Sequence, residues 1–420
     1  MFKPDLKRFF RERSGNVVVL FALSLLPILG LSGLAIDFSL AMRAKTALDA
    51  STDAAVLAAA TEASAIIQSQ SSPGFDATDT AIAYGQVAGQ NVFLANAAMV
   101  KTTTTPQLSL NLQRNGLVIT ATGNYAAQSP TVFGKMFGTS SLSASGRASS
   151  SLTLPKYMKI YIATDISQSM GIAATQAYMN QLASLTGGCV FGCHVLAGGQ
   201  SVTNERTAHN NNIQLRIDVI KQSMQNIISS AQNISSGNPT ISIGLYTLQY
   251  DLTTVASLST DYPSLHTVVN TIDLGSNDSS GKGDSNFTVA VNNFSASIMA
   301  SGDGSSANSP LVFVFLMTDG VYDVTGNCSY THCTKAFDPN LCTAFKNKGA
   351  TVGVIYTTYI PFPNEQTYVD LVQPFAPQIA PNLQRCASPG YYYEASDGPA
   401  IQAAANALFA QATSSGKLTQ

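Results

Sequence analysis

The chain has no tryptophan and very little charge. Asp, Glu, Lys and Arg make up 11 % of its 420 residues, against about 25 % in ordinary soluble domains. Lys and Arg number 22 and Asp and Glu 24, leaving a net charge of −2. That balance argues against the basic face of a nucleic-acid binder and against an acidic disordered tail. Histidine is scarce as well. His194, His209, His266 and His332 are scattered, and none is paired with a Ser or Cys in a nucleophile motif, which argues against a hydrolase. What the chain does have is 45 % apolar residues, enough for a sizeable core, and a length that suits two or three domains. Its polar surface must come from Ser, Thr, Asn and Gln.

Charge is missing altogether between Arg13 and Asp37. Within that gap the run from Val17 to Ile36 is almost wholly apolar, and about 20 such residues span a bilayer as a helix. Pro27 and Gly30 inside it are tolerated in membrane helices. Ahead of the run, Lys3, Lys7, Arg8, Arg11 and Arg13 outweigh Asp5 and Glu12. A basic flank stays cytoplasmic, so the bulk of the chain is expected outside. A retained single-pass anchor is the preferred reading, because a cleaved signal peptide has an apolar core of only about 7–15 residues. The small triplet Gly33-Leu34-Ala35 keeps cleavage open. A third reading is a prepilin-like leader cut after Gly15, although the position five residues beyond the cut, where prepilins usually carry Glu, is Leu20.

Beyond the apolar run the pattern changes three times. Residues 1–14 form the expected cytoplasmic tail and 15–37 the transmembrane helix. Residues 38–98 are Ala-rich with no strand period, and Ala has the best helix propensity. They read as a spacer helix, broken at Ser72-Pro73-Gly74. Residues 99–152 alternate at Leu108, Leu110 and Leu112, then carry Asn115-Gly116 before Val118 and Ile119, a hairpin signal in a small β-rich module. From 153 to 412, apolar strands at 157–164, 240–248, 311–318 and 351–358 alternate with helical stretches at 213–234, 287–299, 334–348 and 399–412. The stretch Pro361 to Pro389 reads as a loop. This alternation predicts an α/β, doubly wound parallel sheet, with ligands outside the carboxyl ends of its strands.

Two of those strand ends carry unusual polar residues. Asp165, Ser167 and Ser169 follow the first strand at two-residue spacing, and Asp319-Gly320 follows the third. Two hydroxyls and two carboxylates converging there suit a hard cation such as Mg²⁺, which takes about six oxygen ligands at about 2.0–2.1 Å and keeps several waters. Ser167 and Ser169 would be direct ligands, with Asp165 and Asp319 neutralising charge through water. Taken singly, a strand followed by Asp-Gly is an ordinary turn. The joint placement is what points to a metal site.

With Asp165-x-Ser167-x-Ser169 and Met317-Thr318-Asp319-Gly320 in place, the chain resembles the von Willebrand factor A family and its metal-ion-dependent adhesion site, a Rossmann-like fold. The resemblance implies a further hydroxyl ligand from a middle loop. The matching stretch is Gly281-Lys282-Gly283-Asp284-Ser285-Asn286-Phe287-Thr288, and Ser285 is placed there. Residues 10–62, with Arg11-x-x-Ser14-Gly15-Asn16, the apolar run, Asp37 and Asp53-Ala54-Ala55, resemble TadG-like proteins of bacterial tight-adherence (Flp) pilus assembly. So do the surroundings of Cys189 and Cys193, of Cys342 with Phe345-Lys346, and of Cys386-Ala387-Ser388.

All six cysteines lie beyond the apolar run, where an oxidising exterior favours disulfides. The pairing adopted is Cys189 with Cys193, Cys328 with Cys333, and Cys342 with Cys386, one of 15 possible. Zinc held among Cys189, Cys193, His194, Cys328, His332 and Cys333 is the competing reading. Together these features lead to the expectation of a non-enzymatic protein of the bacterial inner membrane, single-pass, with its bulk periplasmic or surface-exposed. It would bind a protein partner, other pilus components or pilin, through Mg²⁺ or another divalent cation, with no nucleic acid and no small-molecule substrate. The alternatives are a pseudopilin-like subunit processed after Gly15 and a metal-assisted hydrolase at Asp165 and Asp319.

Overall fold

The computed structural model describes residues 15–188, 190, 203–235, 240–275, 284–328, 331–359, 361–362 and 365–414. The basic tail, Cys189, Cys193, His194 and the glycines 281 and 283 lie outside these residues. The chain divides into two compact units. One holds the residues up to Leu154 apart from Ser71–Phe75, and the other holds Ser71–Phe75 and everything from Pro155 onward.

The first unit starts from one long helix, α1 (Gly15–Gln70), which carries the apolar run and continues without a break into the Ala-rich segment as far as Gln70. Gly33, Asp37, Ala41, Ala44 and Leu48 are buried at spacings of three and four, the signature of one helix face. The stripe continues through Ala55, Val56, Ala59, Ala60, Ala63 and Ile67. Helix α2 (Thr78–Ala97) packs against α1. Its Gly85 and Gly89 lie so close that a Cβ on them would fall 2.6 Å and 2.8 Å from the carbonyl oxygens of Ala59 and Ala55. Strands β1 (Gln107–Asn115), β2 (Val118–Pro130) and β3 (Ser141–Thr153) form an antiparallel sheet in that order. The β1–β2 loop is Gly116-Leu117, since Asn115 already pairs with Val118. Gly116 takes φ 58° at its first position, the Gly-first form of a two-residue hairpin.

The helices and the sheet, read from the sequence as separate pieces, share one core. Leu112, Ile119, Ala121 and Ala148 pack with Val56, Ala59, Ala60 and Ala63. The alternating strands have one apolar face, and the Ala stripe of α1 is the surface that covers it.

The second unit is an α/β sheet. Its strands are β4 (Met158–Asp165), β5 (Ile241–Leu248), β6 (Leu252–Ser259), β7 (Leu311–Thr318), β10 (Thr351–Thr357) and β11 (Tyr392–Ala395). Between β7 and β10 lies a hairpin of β8 (Val321–Thr325) and β9 (His332–Ala336). The sheet order is β11-β10-β7-β4-β5-β6, parallel throughout except for the edge strand β6. The central strands are apolar on both faces because both faces are covered. One face packs Ile160, Ile162, Phe313 and Phe315 against α3 (Gln176–Leu185), α5 (Arg216–Ile234), α6 (Tyr262–Val269) and α11 (Gly398–Ser414), while α4 (Asn204–Asn210) contributes Ala208. The other packs Tyr161, Val314 and Leu316 against α7 (Phe287–Ser297), α8 (Thr343–Asn347) and α10 (Ala376–Cys386).

Two stretches differ from the sequence reading. Thr334 to Lys348 is not one helix. Residues up to Ala336 complete the β8–β9 hairpin, which the Cys328–Cys333 disulfide closes, and only a 3-10 turn Pro339–Cys342 and α8 follow. Pro361 to Pro389 is largely helical, with α9 (Gln366–Leu371) ahead of α10. Pro381 sits inside α10, where it masks the helical pattern, yet Ile379, Leu383 and Cys386 are buried at helical spacing.

Candidate metal centre

Strand β4 pairs with β5 on one side and with β7 on the other. The chain order reverses there, and a doubly wound sheet opens a crevice beyond the carboxyl ends of such a pair. Asp165 ends β4, and Asp319 directly follows β7. Both are fully buried, as are Ser167 and Thr318, while Ser169 is partly exposed at the mouth. The buried apolar runs fix the strands, and the strands fix the two carboxylates side by side.

Asp165 is held on both oxygens. The Ser167 backbone N–H donates to Oδ1 at 2.9 Å and the Thr318 hydroxyl donates to Oδ2 at 2.8 Å. Gly320 N–H in turn donates to the Thr318 hydroxyl at 2.9 Å. Gly320 sits at φ 74°, and a Cβ there would meet Ile379 and Leu383 of α10 at 2.8 Å, so the turn that aims Asp319 requires glycine. Asp319 accepts from Val321 N–H at 3.1 Å on Oδ1 and from the Tyr359 hydroxyl at 2.6 Å on Oδ2. Burial, and then the negative charge of Asp319, push the Asp165 carboxyl up to about 7, against the pull of the Ser167 and Thr318 bonds. A second buried carboxylate nearby disfavours the charged form of the first.

Above them, the hydroxyls of Ser167 and Ser169 stand 3.0 Å apart. Adjacent oxygens of an octahedral Mg²⁺ shell, at about 2.0–2.1 Å from the ion, lie about 2.9 Å from one another. The donor set is therefore the right one for a hard divalent cation: two neighbouring hydroxyls, with two buried carboxylates whose oxygens are already engaged and which act through water or through charge alone. Ser285 stands apart from this hydrogen-bonded set. It is buried just before α7, and its carbonyl accepts from the N–H groups of Phe287 and Asp323.

Three partners of the site were not evident in the sequence. Thr318 is the residue before the Asp-Gly pair, so its hydroxyl could have been read with that motif. Tyr359 lies 40 residues beyond Asp319 and meets it only because β10 lies beside β7. Burial, then the Asp319 charge, hold its phenol well above its ordinary range. Arg216, the first residue of α5 and almost fully buried, places its guanidinium 5.0 Å over the Tyr359 ring and donates to the Thr358 carbonyl at 2.5 Å. Its charge opposes the rise at Tyr359.

A second grouping lies on the β8–β9 hairpin. Carboxylate oxygens of Asp284 and Asp323 and an imidazole nitrogen of His332 come within 4.8 Å of one another. His332 Nδ1 and Asp323 Oδ2 are 2.8 Å apart, and Thr325 donates to Asp284 through both its N–H and its hydroxyl. The zinc reading that used Cys328 and Cys333 fails, because those two sulfurs are joined to each other. Cys342, ending the 3-10 turn, is joined to Cys386 at the end of α10. The pairing of Cys189 with Cys193 falls outside the described residues.

Residues 15–62 match the Flp pilus-assembly TadE/G-like family model. No curated protein matches the chain. Among solved structures the chain is similar to the conserved hypothetical protein BatB of Bacteroides thetaiotaomicron. That pair is 15 % identical over 61 % of this chain and 100 % of that one, with a TM-score of 0.34. The PilB minor pilin of Streptococcus sanguinis matches at 11 % identity over 76 % and 80 %, with a TM-score of 0.36. The von Willebrand factor domain of the type V pilus tip protein Mfa5 of Porphyromonas gingivalis matches at 11 % over 64 % and 99 %, with a TM-score of 0.38. At these identities and scores the likenesses assign no function to this chain.

Proposed function

We propose that this chain is a membrane-anchored, extracytoplasmic protein of pilus assembly or adhesion, and that its α/β domain binds a protein partner through a divalent cation, Mg²⁺ in the first instance. The observation that carries the reading is the crevice itself: buried Asp165 and Asp319 beneath two hydroxyls 3.0 Å apart, at the point where the strand order reverses. Ser167 and Ser169 would hold the ion directly, Ser285 would approach from the loop before α7, and Asp165 and Asp319 would balance its charge. A bound cation there supplies a positive point that a carboxylate of the partner can engage, a charge-assisted contact. The match of residues 15–62 to a pilus-assembly family supports the cellular setting. The uncharged N-terminal segment of α1 supports membrane anchoring, since an 18-residue window of the helix has a mean hydropathy of 2.5, and the basic flank supports an exported C-terminal bulk.

The reading is not enzymatic, and the match of residues 15–62 to a pilus-assembly family supports it. The test is capture of pilus components from an envelope extract by the detergent-solubilised full chain, in Mg²⁺ and in EDTA. Capture should require Mg²⁺ and vanish in Asp165→Ala. Capture that is equal in EDTA, or intact in the variant, contradicts the proposal.

A further inference from the structure

The first unit exposes a cluster of large apolar side chains at one turn. Between β2 and β3 the chain makes a 3-10 turn, Gly134–Phe137. Around it Val132, Met136 and Phe137 are 62 %, 79 % and 59 % exposed, and Phe133 is 37 % exposed. This turn lies against α1 inside the apolar run. A Cβ on Gly30 would meet the Phe137 ring at 2.8 Å, and one on Gly33 would meet Phe133 Cβ at 2.7 Å. The two glycines are the space into which the two rings fit.

Asp37 fixes the turn. Its Oδ1 accepts from the N–H of Val132 at 2.7 Å, and its Oδ2 accepts from the N–H groups of Phe133 and Gly134 at 2.9 Å and 2.7 Å. The carboxylate is fully buried by these contacts. Asp37 is the only ionisable residue between Arg13 and Arg43. With its charge enclosed, the outward surface of α1 stays apolar past it, through exposed Phe38, Leu40 and Met42. At about 1.5 Å of rise per residue, Val17 to Met42 covers about 39 Å, more than the hydrocarbon thickness of about 30 Å. A charged side chain at membrane depth is tolerated only when protein groups satisfy it, and three amides from the turn do so. Exposed cations lie beside it, Arg43 and Lys101, and one, Lys135, lies within the turn itself. A groove of about 410 Å³ is lined by Leu40, Arg43, Met99, Lys101 and Val132. Apolar side chains edged by Lys and Arg are the surface that settles into an anionic lipid interface.

We propose that the turn at residues 131–138 is seated in the bilayer beside α1, in the leaflet on the side of the folded units, with lipid phosphates at Arg43, Lys101 and Lys135. The anchor is then a helix plus a wedge, locked together by Asp37. The inference rests on the reading of α1 as a membrane span. The absence of tryptophan gives a clean probe, since any introduced Trp is the only one in the chain. The full chain, reconstituted in phosphatidylcholine–phosphatidylglycerol vesicles, is prepared as Met136→Trp, as Phe21→Trp within the apolar run, and as Tyr84→Trp on the exposed side of α2. Emission is read with brominated lipids and with aqueous iodide. Met136→Trp should emit to the blue of Tyr84→Trp, be quenched by the lipids as Phe21→Trp is, and resist iodide. Val132→Trp supplies the same reading if Met136→Trp does not fold. If the turn probe behaves like Tyr84→Trp while Phe21→Trp is lipid-quenched, the wedge is overturned and the span stands. If Phe21→Trp is itself open to iodide, span and wedge fall together.

Discussion

The two units solve the problem of a core in opposite ways. The first is built from small residues. Beside one aromatic pair, Phe93 and Tyr125, its core is Ala, Gly and a few larger aliphatics, which let α1, α2 and the sheet approach until a single Cβ at Gly85 or Gly89 would strike backbone. The second is built from large ones. Phe287, Phe294, Phe315, Phe337 and Phe345 are fully buried across its sheet. Large side chains on both faces of a parallel sheet leave its carboxyl edge free, and the buried carboxylates are found there. On the proposed function, anchoring would fall to the first style of packing and recognition to the second.

The sharpest way to break this contrast is to shrink the second unit. Phe294 touches the rings of Tyr161, Tyr246 and Phe345. Phe294→Ala should cost about 3–5 kcal/mol, measured by denaturant unfolding of the full chain in detergent, with hydrogen exchange showing the loss in peptides beyond Pro155 alone. Next comes the staple between Cys342 and Cys386, 44 residues apart. Cys386→Ser should cost about 3–4 kcal/mol in the chain-entropy account and free a single alkylatable thiol at Cys342. The first unit should break by enlargement instead. Gly89→Leu should cost about 1–3 kcal/mol through overpacking, with exchange rising in α1 and α2 while the α/β domain keeps its protection. An equal loss of protection in both units would dissolve the distinction.

The pH dependence of stability is the most diagnostic of the crevice. Asp165 has a folded pKa raised to about 7, above the unfolded value of about 3.9. Between those values the folded state binds the extra proton, so stability in EDTA should fall as pH rises from about 4 to about 7 and level off above. Thermal melts at pH 5 and pH 8 check it. In Asp165→Asn that contribution to the pH dependence should be absent. A parent that gains stability across this interval would show that the carboxylates are not pressed together as described.

How much of this was written in the sequence depended on range. The central strands were legible because two-sided burial makes them continuous apolar runs, as in Leu311–Thr318. Asp165, Ser167, Ser169 and Asp319 were legible because they sit at the ends of such runs. The β8–β9 hairpin was not, because its half-exposed strands carry no apolar period and its pairing is set by a disulfide and a turn. Helix α10 was hidden by Pro381. Tyr359 joins the site through strand order and Arg216 through its stacking on the Tyr359 ring, and no local pattern marks either. Asp37 was read as the end of an apolar run. Its partners, 95 to 97 residues away, make it a lock.

The central claim is that the Asp165–Asp319 crevice binds a divalent cation. Calorimetric titration of the full chain in detergent with MgCl₂, after removal of metal by EDTA and exchange into chelator-free buffer, tests it most directly. Heat of binding to the parent that is lost in Asp165→Ala and in Ser167→Ala, and unchanged in His332→Ala on the neighbouring hairpin, is the predicted result. Binding by Asp165→Ala equal to that of the parent would contradict the claim.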